Sequence, residues 1–287
     1  MLLNLLLNII AFFGLINGSQ AFYYSAPMIE LENLPSNFSL SADKAGVFSE
    51  AQRTFLYTKN IDEPQPIASI TKLMTAIIFL DANPDLNKIY KITDDDRVEG
   101  GRINLFLGDE LKLRDLFYTS LIASDNGATL ALVHALGLEE DEFVLKMNAK
   151  AQELNLLNTN FKDPIGLSEE NVSTAREVVL LFKEARKNQV IREAMLLPEY
   201  RYQTIQGREK IIESTDGYLL TDENFDLISL GGKTGYINEA GYCFVGEFKD
   251  ERGQSFIVSV LNSANKNSRF LESQNLLRWL KEKYEIN

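Results

Sequence analysis

A serine and a lysine three residues apart, Ser69 and Lys72, stand at the head of the apolar run spanning residues 73–80. In a helix that spacing puts the two side chains on one face, a turn apart, with an amine within reach of a hydroxyl. A serine is a weak nucleophile at neutral pH until a neighbouring base accepts its proton. Lysine can be that base when burial or a nearby cation holds it neutral. A helix start also offers free N–H groups and a positive field where an oxyanion could form. Two further stretches carry compatible groups: Ser124-Asp125-Asn126, in a turn between helical runs, and Lys233-Thr234-Gly235, after the strand-like residues 227–230 and the pair Gly231-Gly232. Each stretch taken singly has an ordinary explanation: a capping serine with a solvated lysine, a helix cap, an edge-strand turn. Their joint occurrence, in this order, points to nucleophilic chemistry.

The elements that must position these groups follow from periodicity. Leu73, Ala76, Ile77 and Leu80 recur at helical spacing, Pro64 and Pro66 close the preceding segment, and Asn83-Pro84 stop the run, so Ser69 is expected in the first turn of a buried helix. Residues 45–48 and 54–57 predict a hairpin, and helices are expected over 111–121, 128–136 and 140–154. Thr174-Ala175-Arg176-Glu177 has the form of a capping box opening another helix, with Val178, Leu181, Phe182 and Ala185 inside. From about residue 199 the period tends to two, with strands expected at 200–205, 227–230, 242–248 and 256–261, then a last helix over 268–284 that buries Phe270, Leu277 and Leu280. Strands at both ends with helices between predict an α+β fold. One antiparallel sheet is built from both chain ends, with helices on its faces and a helical subdomain inserted at about residues 80–200.

Composition narrows the function. The 287 residues carry a net charge of −12, and no basic stripe is present, which argues against nucleic acid as a partner. The single cysteine, Cys243, rules out a disulfide within the chain and lies in a strand-like run as a small buried hydrophobe; the single histidine, His134, lies on a helix face. With one histidine and no cysteine cluster, both zinc chemistry and a Ser-His-Asp triad are disfavoured, and no metal or cofactor is expected. Asp94-Asp95-Asp96 is expected as a solvated turn. The apolar residues 2–16 followed by small residues up to Ala21 are expected to be a secretory signal over residues 1–21, with a linker over 22–40 containing Pro27 and Pro35. The expected location is therefore exported, periplasmic or otherwise extracytoplasmic, with membrane contact only if that segment stays uncleaved.

The three motifs together are the set found in penicillin-binding proteins and class A β-lactamases. The chain resembles that superfamily from about residue 41 to 284, and most closely the low-molecular-weight penicillin-binding proteins that act as serine D-Ala-D-Ala carboxypeptidases. The resemblance rests on Ala68-Ser69-Ile70-Thr71-Lys72-Leu73-Met74-Thr75-Ala76, Ser124-Asp125-Asn126, Pro164-Ile165-Gly166-Leu167, Lys233-Thr234-Gly235-Tyr236 with Ala240-Gly241-Tyr242-Cys243, and Arg269-Phe270-Leu271-Glu272-Ser273. It implies a β-lactamase/transpeptidase-like fold and a single catalytic domain over 41–287. No C-terminal β domain is expected, the chain ending at Asn287 just after the last helix. It also implies a peptidoglycan pentapeptide as substrate and β-lactams as covalent inhibitors.

Roles carried over by the resemblance are these. Ser69 would attack the carbonyl between two D-alanines and become the acyl-ester. Lys72 would take its proton, kept neutral by desolvation and the charge of Lys233. Ser124 would pass a proton to the departing nitrogen, and Asn126 would bond the substrate's peptide amide. Thr234 and the charge of Lys233 would hold the terminal carboxylate, with Arg269 helping. Gly235 would let the substrate lie close to the strand, and the N–H groups of Ser69 and Tyr236 would form the oxyanion hole. The middle residue of the second motif, Asp125, departs from the small residue frequent in carboxypeptidases and is more familiar from β-lactamases. A β-lactamase would need a base to activate water, for which Glu169 and Glu170 lie in the appropriate loop; a sensor that acylates and does not turn over is a further alternative.

Overall fold

The computed structural model describes residues 40–98 and 104–284; the segments expected to be a signal and most of the linker lie outside the described residues. The strands are β1 (Lys44–Ser49), β2 (Thr54–Lys59), β3 (Gln65–Pro66), β4 (Ile89–Lys91), β5 (Glu110–Lys112), β6 (Val172–Ser173), β7 (Glu199–Gln203), β8 (Glu209–Glu213), β9 (Ile228–Ile237), β10 (Gly241–Lys249) and β11 (Ser255–Ser263). The helices are α1 (Lys72–Asp81), α2 (Leu113–Ile122), α3 (Asn126–Ala135), α4 (Glu140–Glu153), α5 (Ala175–Ala185), α6 (Gln189–Met195), α7 (Gly217–Thr221) and α8 (Ser268–Tyr284).

The main sheet has the order β2-β1-β11-β10-β9, antiparallel throughout, so the two N-terminal strands join the three C-terminal ones through β1 and β11. Alternation along the strands divides the core in two. Val47, Val258, Val260, Phe244 and Phe248 pack against Phe270, Leu276, Leu277 and Leu280 of α8 on one face. Phe48, Cys243, Val245, Ile257 and Leu261 pack into the larger core on the other face, together with α1, α2, α3 and α5. The α+β fold, the sheet from both ends and the intervening helices match the expectation.

Several local expectations are corrected. The strand expected at 227–230 does not stop at Gly231-Gly232; β9 continues to Ile237, paired with β10 from Ile228↔Lys249 to Ile237↔Gly241, so Lys233-Thr234-Gly235 lies inside a strand rather than after one. The capping box of α5 is half formed: Thr174 accepts from the Glu177 N–H, but the Glu177 carboxylate accepts instead from Asn158 and Thr159. Asp96 is not solvated. It is buried and accepts from Tyr90 and Thr93, and His134 Nδ1 lies 2.7 Å from its Oδ1, which ties α3 to the 93–96 turn.

Candidate active site

Ser69 lies in a 3-10 turn, Ala68–Thr71, that runs directly into α1, one turn ahead of the helix in which it was expected. Ala68 is held at φ +47, a left-handed conformation that costs an L-residue roughly 1–2 kcal/mol. Two glycines explain how the turn tolerates it. A Cβ on Gly166, itself at φ +85, would stand 2.2 Å from the Ala68 carbonyl oxygen, and one on Gly235 would stand 2.5 Å from that of Ile67. The nucleophile turn is thus gripped between the 163–168 loop and β9. Gly235 serves this close packing against the nucleophile turn.

Lys72 is fully buried and makes three hydrogen bonds: to Ser69 Oγ at 2.9 Å, to Asn126 Oδ1 at 2.7 Å and to the Ile165 carbonyl. Burial pushes its pKa down to about 7, against the opposing pull of Asp125 and Asp163. Two of its three partners are carbonyl oxygens, which can only accept. A neutral Lys72 therefore gives its two hydrogens to Asn126 and Ile165 and turns its lone pair to Ser69 Oγ. The chemistry open to this pair is removal of the serine proton.

The Ile165 carbonyl is fixed by the loop that carries it. Asp163 accepts from the N–H groups of Ile165, Gly166, Leu167 and Ser168. Asn171 accepts from Lys162 and Asp163 and donates to Thr71 Oγ1, while Thr75 Oγ1 donates to the Pro164 carbonyl. Thr71, Lys72 and Thr75 thus bind one side of the helix start to one loop.

Ser124 sits at φ +59 between α2 and α3, and Lys233 Nζ donates to its Oγ at 2.7 Å. Burial and the repulsion of Lys72 hold Lys233 well below an ordinary lysine. The two serines and two lysines form a polar cluster in which each serine faces its own buried amine. Asp125 turns its side chain to cap α3, accepting from Ala128, and also accepts from Asn104; burial raises its pKa. Asn126 follows as the first residue of α3, and with Oδ1 facing Lys72 its Nδ2 is the group available to bond an acceptor.

On β9, Thr234 Oγ1 donates to Thr215 Oγ1 at 2.8 Å. Arg269 is 4% exposed, and its Nη1 donates to the Gly235 carbonyl at 3.2 Å and the Cys243 carbonyl at 3.5 Å. Burial lowers it to about 10. The guanidinium therefore braces β9 and β10 from the α8 side. Tyr236 is half exposed and its ring stacks on Tyr242. The structure brings together two hydrogen-bonded groups, Ser69–Lys72–Asn126 and Ser124–Lys233, with Thr234, Gly235 and Tyr236 on the adjoining strand and Arg269 behind it.

A sequence profile of the family described as D-alanyl-D-alanine carboxypeptidase matches residues 32–265. The chain belongs to this family. A D-alanyl-D-alanine endopeptidase of Pseudomonas aeruginosa is 30% identical over 279 residues, covering 96% of this chain and 88% of the relative. A D-alanyl-D-alanine carboxypeptidase of Bacillus subtilis is 32% identical over 253 residues, covering 81% of this chain and 60% of the relative. Among solved structures, the Streptomyces K15 DD-transpeptidase superposes with a TM-score of 0.78 at 26% identity, covering 85% of this chain and 98% of that one. The β-lactamase/transpeptidase-like fold and serine DD-peptidase activity follow.

Within this peptidase, Glu169 and Glu170 are exposed on the loop, and the loop's contribution to the cluster is the Ile165 carbonyl rather than a carboxylate. Sequence reasoning missed Asp163, Asn171 and Thr215. Asp163 directly precedes Pro164 at a turn, a recognisable signal for a side chain that caps its own loop. Thr215 carries no comparable signal: it reaches Thr234 because the turn after β8 folds onto β9.

Proposed function

We propose that this peptidase is a serine D-Ala-D-Ala carboxypeptidase that removes the terminal D-alanine from peptidoglycan stem peptides. The observation that carries this reading is the buried Lys72, lowered to about 7, with its Nζ 2.9 Å from Ser69 Oγ. Ser69 Oγ bonds to the carbonyl carbon between the D-alanines as its proton passes to Lys72 Nζ. The N–H groups of Ser69 and Tyr236 hold the oxyanion. Collapse breaks the C–N bond, the departing nitrogen takes a proton from Ser124 Oγ, and the proton held on Lys72 replaces it on Ser124, so that both lysines end as they began. Water hydrolyses the ester. Asn126 Nδ2 donates to the acyl portion, while Thr234 and the charges of Lys233 and Arg269 receive the terminal carboxylate. β-Lactams enter by the same attack and act as covalent inhibitors. The apolar N-terminal stretch supports an exported enzyme working outside the cytoplasm.

A second reading, DD-endopeptidase action on cross-linked peptides, is favoured by the names of the Pseudomonas aeruginosa and Haemophilus influenzae relatives, the latter 35% identical over 208 residues. The two readings share one acyl-enzyme and differ in the amine that leaves. Incubation with a pentapeptide and with a cross-linked muropeptide dimer separates them: release of free D-alanine supports the first, conversion of dimer to monomers the second. Ser69→Ala is expected to abolish both activities and covalent labelling by a fluorescent penicillin while the circular dichroism stays that of the parent. Persistent labelling in the variant would assign the nucleophile elsewhere.

A further inference from the structure

Asp216 is a buried acid beside the site that has no part in the proton path above. It precedes α7 in the turn Ser214-Thr215-Asp216 and is 3% exposed. Its Oδ1 accepts from Ser214 Oγ at 2.5 Å, whereas Oδ2 is buried and accepts no hydrogen bond among the described residues. The adjacent Thr215 accepts from Thr234, so the turn that carries Asp216 packs on the strand residue assigned to the substrate's terminal carboxylate. The charged groups acting on Asp216 are Lys233 from β9 and Arg269 from α8, and Lys233 is in turn repelled by Lys72. Those same two cations are the ones assigned to the terminal carboxylate.

We propose that Asp216 sets substrate preference: its negative charge offsets part of the field of Lys233 and Arg269, weakening the premium on a free terminal carboxylate and admitting peptides in which that carboxylate is masked. The proposal rests on the assignment of Ser69, Thr234 and Lys233 above. An internal anion and a substrate carboxylate compete for the same pair of cations, and in a buried site that competition is little screened by solvent. Asp216 is a positioning residue in this scheme, touching neither the reacting atoms nor the substrate.

Burial lifts the Asp216 carboxyl to about 6, with Ser214, Lys233 and Arg269 opposing the rise. Below that pH the group is neutral and the two cations act unopposed; above it the group is charged and the preference for a carboxylate falls. A peptide's own terminal carboxyl ionises near 3.5 and stays charged throughout this range. Titration of Lys72 changes the base for every substrate and, through its repulsion of Lys233, also enters the ratio, so the step assigned to Asp216 is the part that Asp216→Asn removes.

The test is the ratio of kcat/KM for a D-alanyl-D-alanine peptide to that for its C-terminal amide, measured on the full chain from pH 5 to 8 in the parent and in Asp216→Asn. The parent ratio is expected to fall several-fold, up to about tenfold, as pH rises through about 6, one unit of coupling being a factor of ten. Asp216→Asn is expected to lack the step near pH 6 and to hold the higher ratio there. A flat parent profile, or an equal step in the variant, overturns the proposal. Should Asp216→Asn fail to fold, Asp216→Ser, which also removes the charge, takes its place, because the titration of Lys233 also enters the parent profile. Failure of the peptidase reading shows differently, as no cleavage of either peptide by the parent at any pH, and this proposal falls with it.

Discussion

The two walls of the site are held by different forces. The wall made by α1 and the 163–168 loop is a closed hydrogen-bond system: Asp163 takes four backbone N–H groups, Asn171 bridges three segments, and Thr75 and Lys72 take the carbonyls of Pro164 and Ile165. The wall made by β9 is held by its ladder to β10 and, behind that, by charges whose pairing is incomplete. Arg269 Nε and Asp216 Oδ2 are both buried without a hydrogen-bond partner among the described residues. Satisfied polar groups preorganise geometry, whereas an unbalanced charge cluster responds to whatever charge arrives. Damage to the first wall should therefore slow every substrate alike, and damage to the second should redistribute preference among substrates.

The largest expected effect tests the first wall at its chemical centre. Arginine keeps a positive charge but does not give up its proton in a protein. Lys72→Arg should thus cost acylation nearly as much as Lys72→Ala, on the order of a thousandfold, within the usual reach of a general base. In the parent, Lys72 is lowered from 10.5 to about 7, so it is protonated and inert as a base below that pH and neutral above it. The acylation rate should rise as pH increases through about 7, read by single-turnover labelling with a fluorescent penicillin. Near-normal acylation in the arginine variant, or a rate that falls across that range, would remove Lys72 from the role of base.

Gly166→Ala comes next. Its Cβ would meet the Ala68 carbonyl at 2.2 Å in a backbone conformation that disfavours any side chain, so the turn carrying Ser69 must shift. A displacement of about 1 Å can cost about a hundredfold in rate. The loss should be equal for a free-carboxylate peptide and its amide, because the preference lives on the other wall. A loss confined to one of the two peptides would break the division between the walls.

How much of this was legible in the sequence differs by wall and by element. α4 and α8 are readable because their apolar positions recur at helical spacing, and the β1–β2 hairpin because two apolar runs flank a short polar turn. β8 was not, since its inward positions are Lys210 and Ile212, and a lysine facing inward reads as polar. Lys210 is accommodated by the Asn104 carbonyl and by an ion pair with Asp109, both remote in sequence. β9 was cut short because Gly231-Gly232 reads as punctuation, whereas pairing with β10 carries the strand through Gly232↔Gly246. The Ser69, Lys72, Ser124 and Lys233 cluster was legible because each motif holds its chemistry in adjacent residues. Thr215 and Asp216 were not, because what makes them part of the site is the packing of α7 on β9, which no local spacing encodes.

Tyr236→Phe should have the smallest effect, and it sharpens what the second wall contributes. Tyr236 is 48% exposed and its ring stacks on Tyr242 with centroids 4.3 Å apart, while its hydroxyl donates to Asn238 Oδ1 at 3.0 Å. Phenylalanine keeps the stack and loses only an exposed hydrogen bond, a change of about 0.5 kcal/mol or less in stability. The role assigned to this position in the oxyanion hole belongs to its backbone N–H, which the substitution leaves in place. The expected kcat/KM is within about twofold of the parent for both the carboxylate peptide and the amide, since about 0.4 kcal/mol corresponds to a factor of two. A tenfold loss on both substrates would place the phenol itself against the acyl portion, and a tenfold loss on the carboxylate peptide alone would make it a reader of the terminal group. Either result would mean that the β9 wall selects by a directed hydrogen bond, and the charge balance among Asp216, Lys233 and Arg269 would then have to share that task.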